Sequence, residues 1–195
     1  MSQTAYGLQQ SPLPGVIADN SPVQDFVSFA NTDATWNVPF GVAVARNGTD
    51  ENGARMPTGG GDEILGVVVL EHTHDPGPFG TLVQTGTVGT APGPGLKNSA
   101  NFPVLRKGRI NVLVEAGVTV GAAAFTRITQ NGAGKLQLGA FRADNDGGNA
   151  VAVNGRFMSA IRTVPATTPF PGQSATAGQA TVLTAVLEID TTEVV

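Results

Sequence analysis

The residues of this chain best suited to metal chemistry stand together at Glu71-His72-Thr73-His74-Asp75. Histidines two positions apart project to the same face of a β-strand, and imidazole and carboxylate groups are ligands that zinc takes in hydrolytic sites. Here, however, the aspartate directly follows the second histidine, Pro76 comes next, and the chain has only 2 histidines in all. We therefore interpret this segment as a polar strand end that runs into a Pro-Gly loop, and we predict no metal site.

Three other patterns could suggest a ligand or a reaction, and each is incomplete. Asp144-Asn145-Asp146-Gly147 alternates oxygen ligands as a calcium loop does, but Val153 stands where the bidentate acid belongs, so a plain turn is predicted. The glycine-rich stretches at 59–61 and 132–134 lack the spacing of a phosphate-binding loop. The serines lack the Gly-x-Ser-x-Gly elbow of a hydrolase. The chain is therefore predicted to have no catalytic residue and no cofactor, and not to be an enzyme.

The composition predicts the fold class. The 195 residues include 26 Gly and 13 Pro, with no Cys and only 13% charged residues. These glycines and prolines separate short Val-rich segments, a pattern typical of strands joined by turns and extended loops. We predict an all-β domain of roughly eight to ten strands, a sandwich or a barrel-like (jelly-roll-like) arrangement with long loops.

Several segments carry the strand pattern most clearly. Apolar residues alternate from Val38 to Val44 before the turn dipeptide Asn47-Gly48, and the continuous apolar run of 63–71 predicts a strand covered on both faces. The clearest signal is 104–115, which we divide at a turn at Lys107-Gly108. Further strands are predicted within 81–88, 122–128, 151–163 and 179–190, and residues 91–95 are predicted to form a surface loop. In the last strand, alternation predicts one shared face for Leu183, Ala185, Leu187 and Ile189.

The chain is predicted to divide into an extended N-terminal arm, residues 1–25, and a β domain, residues 26–195. The arm carries Gln, Ser, Pro and Gly and too few large apolar groups to build a core alone. Two interpretations stand: a segment that becomes ordered against a neighbouring molecule, or a floppy tail.

Charge and hydropathy exclude some partners. The net charge of -4 and the pI near 5.0 provide no basic field for a phosphate backbone, so no nucleic-acid partner is predicted. No apolar run approaches the ~20 residues that a membrane span requires, so no membrane partner is predicted. The N-terminus lacks the basic and apolar regions of a secretory signal, which predicts synthesis and folding in the cytosol.

Three cations, Arg106, Lys107 and Arg109, surround Gly108 in an otherwise acidic protein. If Gly108 forms a turn, all three lie at one loop tip. Such a tip is either a solvated turn or a docking point for an acidic neighbour, where it would contribute orientation and association rate.

The order of several short pieces resembles the structural cement, or head decoration, proteins of tailed bacteriophages. These pieces cover most of residues 38–190 and are Val38-Pro39-Phe40-Gly41-Val42-Ala43-Val44, Ile64-Leu65-Gly66-Val67-Val68, Val104-Leu105-Arg106-Lys107-Gly108-Arg109-Ile110-Asn111-Val112, Glu115-Ala116-Gly117-Val118-Thr119-Val120-Gly121-Ala122, Gly155-Arg156-Phe157 and 180–189. The arm and the loops at 91–100 and 165–178 match nothing in that pattern.

The resemblance implies a non-enzymatic capsid cement protein. Such a protein would be made in the host cytoplasm, bind the outer surface of a phage head, and bridge neighbouring major capsid subunits. It also implies self-association, with a homotrimer favoured and a homodimer second. The residues that we expect to contact subunits or the capsid are Val16, Ile17, Phe26, Phe29, Arg106, Lys107, Arg109 and Phe170.

Two other functions stay open at this point. A head appendage or adhesin that binds a host-surface polysaccharide or receptor would share the same β architecture. A metal hydrolase would use His72 and His74, and stoichiometric metal in the purified protein would mark it.

Overall fold

The computed structural model describes residues 14–18, 23–48, 50–70, 91, 95–115, 117–132, 135–164 and 182–192. They form ten strands: β1 (Asp25–Asn31), β2 (Ala43–Arg46), β3 (Gly53–Arg55), β4 (Ile64–Val68), β5 (Asn101–Leu113), β6 (Ala123–Arg127), β7 (Phe141–Arg142), β8 (Ala150–Phe157), β9 (Arg162–Val164) and β10 (Val182–Asp190). One short 3-10 helix, Asp146–Gly148, is the only helix in this part of the chain. The all-β, barrel-like prediction is confirmed.

Five strands form a closed hydrogen-bonded circuit. β1 pairs with β3 and with β5, β3 pairs with β2, β2 pairs with β4, and β4 returns to β5. Because each of these strands pairs with two others, the circuit closes into a small barrel. Its interior takes buried side chains from all five strands: Phe29, Val44, Ala54, Leu65, Phe102 and Val104.

A second closed circuit uses the other half of β5. β5 pairs with β10, β10 with β8, β8 with β6 and β6 with β7. Phe141 of β7 then bridges Val114, which directly follows β5, and so closes the circuit. The second interior holds Ile110, Val112, Val114, Ala124, Phe141, Val153, Phe157, Ala185, Leu187 and Ile189. The fold is therefore two small barrels that share one long strand.

The shared strand corrects one prediction. We predicted a turn at Lys107-Gly108, but both residues lie inside β5, which runs unbroken for 13 residues. Lys107 pairs with Asp25 of β1 on one side and with Asp190 of β10 on the other. Gly108 has φ +136, a conformation that side chains disfavour, and it stands where β5 passes from one barrel to the next. Gly108 therefore lies within a strand that changes its pairing partners, and it does not form a turn.

The burial patterns predicted for two strands are confirmed, although β4, at Ile64–Val68, is shorter than the predicted 63–71. β4 is covered on both faces, since Leu65 lies in the first core and Val67 in the second. In β10, Ala185, Leu187 and Ile189 are buried on one face, as their alternation predicts.

The strand predicted from Val38 is correct only at its end, because β2 begins at Ala43. Gly41, with φ +71, interrupts the extended backbone, and Val38 forms an isolated bridge with Leu96. Val38, Val42 and Val44 nevertheless share the first core. The alternation therefore predicted the burial of these residues correctly. Its prediction of a continuous strand from Val38 was wrong.

Several predicted features lie outside the described residues: the strand within 81–88, the pair His72 and His74, and Phe170. The region predicted at 151–163 holds two strands, β8 and β9, which residues 158–161 separate. Across the described ranges, no helix has the length and apolar character needed to cross a membrane.

Candidate interaction surfaces

Residues 14–18, within the predicted arm, lie along the edge of β5 beyond β1. Gly15 N–H donates to the Asn111 carbonyl at 2.7 Å, and Asn111 N–H donates to the Val16 carbonyl at 2.9 Å. Leu70 N–H donates to the Gly15 carbonyl from the opposite side at 2.8 Å. The Asn111 side chain adds a second donor, Nδ2, at 2.9 Å from the same Val16 oxygen. This short segment is therefore held between β5 and the end of the β4 segment.

Two glycines allow that close approach. A Cβ on Gly15 would stand 2.8 Å from the Leu70 nitrogen, and a Cβ on Gly41 would stand 2.5 Å from the Pro14 Cβ. Both residues also have positive φ, +84 and +71, which glycine adopts without steric cost. The predicted contact residues Val16 and Ile17 are half-buried here, and Ile17 packs against the second core.

The three cations predicted at a loop tip belong instead to a ladder of charge pairs on adjacent strands. Arg109 of β5 and Arg156 of β8 both bind Glu188 of β10, at 2.8 and 2.9 Å. Lys107 pairs with Asp190 at 2.6 Å. Hydrogen bonds from Arg109 and Arg156 lower the pKa of Glu188, and the bond from Lys107 lowers the pKa of Asp190 to about 2.

The ladder removes the basic patch that the sequence suggested. Arg106 also has an acidic neighbour, Asp25, at 3.8 Å. The prediction of three cations at one loop tip is wrong because all three lie inside the unbroken strand β5, and each of them has an acidic neighbour on another strand. Paired, half-exposed charges of this kind provide little attraction for an acidic neighbour.

Most of the basic side chains have an acidic partner. Of its 11 Lys and Arg residues, those with an acidic partner are Arg46, Arg55, Arg106, Lys107, Arg109, Arg127, Lys135, Arg142 and Arg156. The remaining two, Lys97 and Arg162, are exposed and have no ion-pair partner among the residues that the structure describes. Sequence reasoning missed both, because only the fold shows which charges are paired.

Large hydrophobic side chains reach solvent at three described positions. Val23 is 56% exposed, Phe26 of β1 is 44% exposed and Val120 is 66% exposed. Phe26 is one of the predicted contact residues. Phe29, another of them, lies inside the first barrel at 5% exposure. Alternation along β1 therefore places these two phenylalanines on opposite faces of the barrel wall.

A buried ionic cluster lies among β6, β7 and the turn at 144–149. Arg127 has no exposed side-chain surface, and its Nε donates to Glu115 at 2.7 Å. Its two terminal nitrogens donate to the Thr129 carbonyl and to Asp146 Oδ2, each at 2.8 Å. Arg142 adds a second buried guanidinium, 3.1 Å from the same Asp146 oxygen. The plain turn predicted at Asp144-Asn145-Asp146-Gly147 thus carries a carboxylate that binds arginine.

The cluster affects its two carboxyl groups in opposite directions. Hydrogen bonds from Arg127 and Asn131 lower the pKa of Asp146 well below its usual range. Burial raises the pKa of Glu115, against the hydrogen bond from Arg127, which lowers it. Each carboxylate faces a guanidinium, although Arg142 Nη1 makes no hydrogen bond, so the cluster is suited to holding loops in place. Across the described ranges, no group of three or more His, Cys, Asp and Glu residues could hold a metal ion.

Comparisons with known proteins give one family and one structural neighbour. A family model described as structural cement protein (E217 gp24/Pam3 gp6) matches residues 1–186. A chain from the solved capsid of Myoviridae phage XM1 superposes with a TM-score of 0.53 at 14% identity, covering 91% of this chain and 89% of that chain. At that identity the likeness shows the fold alone. No curated protein matches the chain.

Proposed function

The chain belongs to the phage structural cement protein family, and on that premise we propose that it binds the outer surface of a phage head and bridges neighbouring major capsid subunits. The observation that carries this proposal is the family match, which extends over residues 1–186 and so includes the predicted arm and both barrels up to the middle of β10. Family membership makes it a structural, capsid-associated protein of the virion.

The fold suits a clamp that resists force. In two closed barrels nearly every strand is hydrogen-bonded on both sides, so pulling on one strand loads its neighbours. The charge ladder leaves the outer faces of β5, β10 and β8 close to neutral. We therefore expect adhesion to come from apolar burial and backbone hydrogen bonds more than from net charge.

Of the predicted contact residues that the structure describes, Phe26 fits a capsid interface best, because its ring is exposed on the outer wall of the first barrel. Val23, three positions before it, is a second exposed apolar side chain. Val16 and Ile17 contribute only through their exposed portions. We also propose Phe170 as a contact, and the Arg106, Lys107 and Arg109 side chains as parts of a paired, orienting surface. A specific contact set would bury on the order of 1,000 Å² or more.

Self-association is part of the proposal, with a homotrimer favoured and a homodimer second. An oligomer that engages several subunits gains affinity from effective concentration without any new contact. Modest individual contacts then suffice to hold a shell together.

A binding experiment with sealed heads tests the proposal. Purified protein is added to DNA-filled heads assembled without it, so that only the outer surface is accessible, and bound protein is measured after sedimentation. We expect saturable binding, weakened by Phe26→Ser and unchanged by Val120→Ser, which removes a comparable exposed apolar group elsewhere. Binding to open shells only, or no binding at all, would contradict outer-surface cementing.

A further inference from the structure

We propose that the outer edge of β9 accepts an extended, acidic segment of the major capsid subunit as an added β-strand. This inference rests on the proposed function and names the contact through which part of the bridging occurs. Two features of the described residues coincide on this three-residue strand: a backbone edge without a strand partner and a cation without an acidic partner.

The first feature is the edge. Nine of the ten strands have hydrogen-bonded neighbours on both sides, because both barrel circuits close. β9 pairs with β10 alone among the described residues. Sheet edges with free backbone groups are the places where extended peptides add as strands.

The pairing register shows which backbone groups point outward. Leu183 of β10 accepts a hydrogen bond from Val114 N–H, so the backbone groups of Leu183 point toward β5 and away from β9. Leu183 is the register partner of Thr163. In an antiparallel ladder the partners of a non-hydrogen-bonded pair direct their N–H and C=O groups away from each other. Thr163 therefore presents one donor and one acceptor on the outer edge, whereas Arg162 and Val164 bond toward β10.

The second feature is the charge of Arg162. Its side chain is exposed, and it is one of the two cations without an acidic partner in the described part of the chain. Arg–carboxylate pairs are frequently bidentate, which fixes orientation as well as charge. A strand laid against Thr163 brings its own side chains beside Arg162, so the best occupant carries Asp or Glu there.

The edge is short, so a single site binds weakly. Thr163 supplies two backbone hydrogen bonds, and each is worth about 2–10-fold in affinity. On a shell with many copies, and with an oligomeric cement protein, such contacts act together. The edge therefore contributes strength in the assembled head and little adhesion to isolated peptides.

A proline substitution tests the backbone contact. Thr163→Pro removes the outward N–H and leaves the β9–β10 hydrogen bonds intact, since edge strands tolerate proline where the donor faces outward. Thr163→Val is the matched control, because it removes the side-chain hydroxyl and keeps the backbone donor. We expect Thr163→Pro to weaken binding to sealed heads by about 2–10-fold per site and Thr163→Val to leave it unchanged. Equal binding by both variants would overturn the inference.

A charge reversal tests the acidic character of the occupant. Arg162→Glu is compared with Lys97→Glu, which makes the same charge change at the other unpaired cation. We expect only Arg162→Glu to weaken binding and to reduce its dependence on salt. If both variants weaken binding equally, the effect is general electrostatics and no acidic segment lies at β9.

Amide hydrogen exchange distinguishes the remaining occupants. In the free protein, the Thr163 amide should exchange rapidly, and it should become protected on heads. Protection in the free protein would show that the chain itself or a second copy already covers the edge, and a loss of self-association in Thr163→Pro would identify the second copy. Either result overturns the inference while the cement function stands. If the wild-type protein does not bind heads at all, both the β9 inference and the proposed cement function are wrong.

Discussion

Arg127 offers the sharpest test of how the second barrel is held together. Its guanidinium is fully buried and binds Glu115 and Asp146, whose side chains are only 8% and 13% exposed. Arg127→Met keeps most of the apolar volume of the side chain and removes its charge. The two carboxylates would then keep only Arg142 and Lys135 as cationic neighbours.

The expected magnitude follows from burial. Removing one partner of a buried ion pair costs about 3–5 kcal/mol, because the remaining charge is left in a poorly solvated site. Arg156→Met is the matched control, since Arg156 also pairs with a glutamate but is 62% exposed. Exposed pairs contribute about 0–1 kcal/mol. The two variants thus change the same residue type and differ mainly in solvent access.

Urea unfolding and thermal melting measure the difference. For a chain of this size, 1 kcal/mol corresponds to a Tm change of about 2–4 °C, so Arg127→Met should melt about 6–20 °C lower than the wild type. Arg156→Met should melt within about 4 °C of it. If the two variants lose stability equally, burial of the ion cluster does not add to the stability of the barrel.

Two further predictions concern pH and backbone geometry. The folded-state pKa values of Glu188 and Asp190 lie below their unfolded values, so the stability they contribute is present above about pH 4.5 and is lost toward pH 2. Glu115, whose pKa is raised, acts with the opposite sign. Urea unfolding at a series of pH values should therefore show that the free energy of unfolding falls in acid, and that it falls less steeply in Glu188→Gln. A wild-type free energy of unfolding that does not change with pH would contradict the charge ladder. Gly41→Ala should destabilise the protein by about 1–3 kcal/mol more than Gly48→Ala, because both have positive φ but only Gly41 meets Pro14, whereas Gly48 has open space. Equal losses would show that residues 14–18 do not depend on that close approach.

Local patterns were sufficient to predict the strands that lie between two cores. The apolar run of β4 and the alternation of Ala185, Leu187 and Ile189 depend only on neighbouring residues, and both were read correctly. The closure of two barrels was not predictable in this way. It depends on pairings between distant segments, such as β5 with β10, which leave no signal at short range.

The same limit explains the error at Gly108 and the missed sites. A glycine between cations has the local signature of a turn, and the partners that make it a strand, such as Glu188 for Arg109, lie 79 residues away. Pro14 and Gly15 have the composition of a flexible linker, yet their contacts with Gly41 and Leu70 are close. Arg162 became a candidate only when the register showed β9 to be an edge.

Heat stability of the phage head tests the central claim most directly. DNA-filled heads assembled without the protein are heated alone and with saturating purified protein, and genome release is followed by a dye that binds DNA. If the protein bridges major capsid subunits, the release temperature should rise with occupancy and reach a plateau when the sites are filled. An unchanged release temperature on heads that demonstrably carry bound protein would contradict cementing.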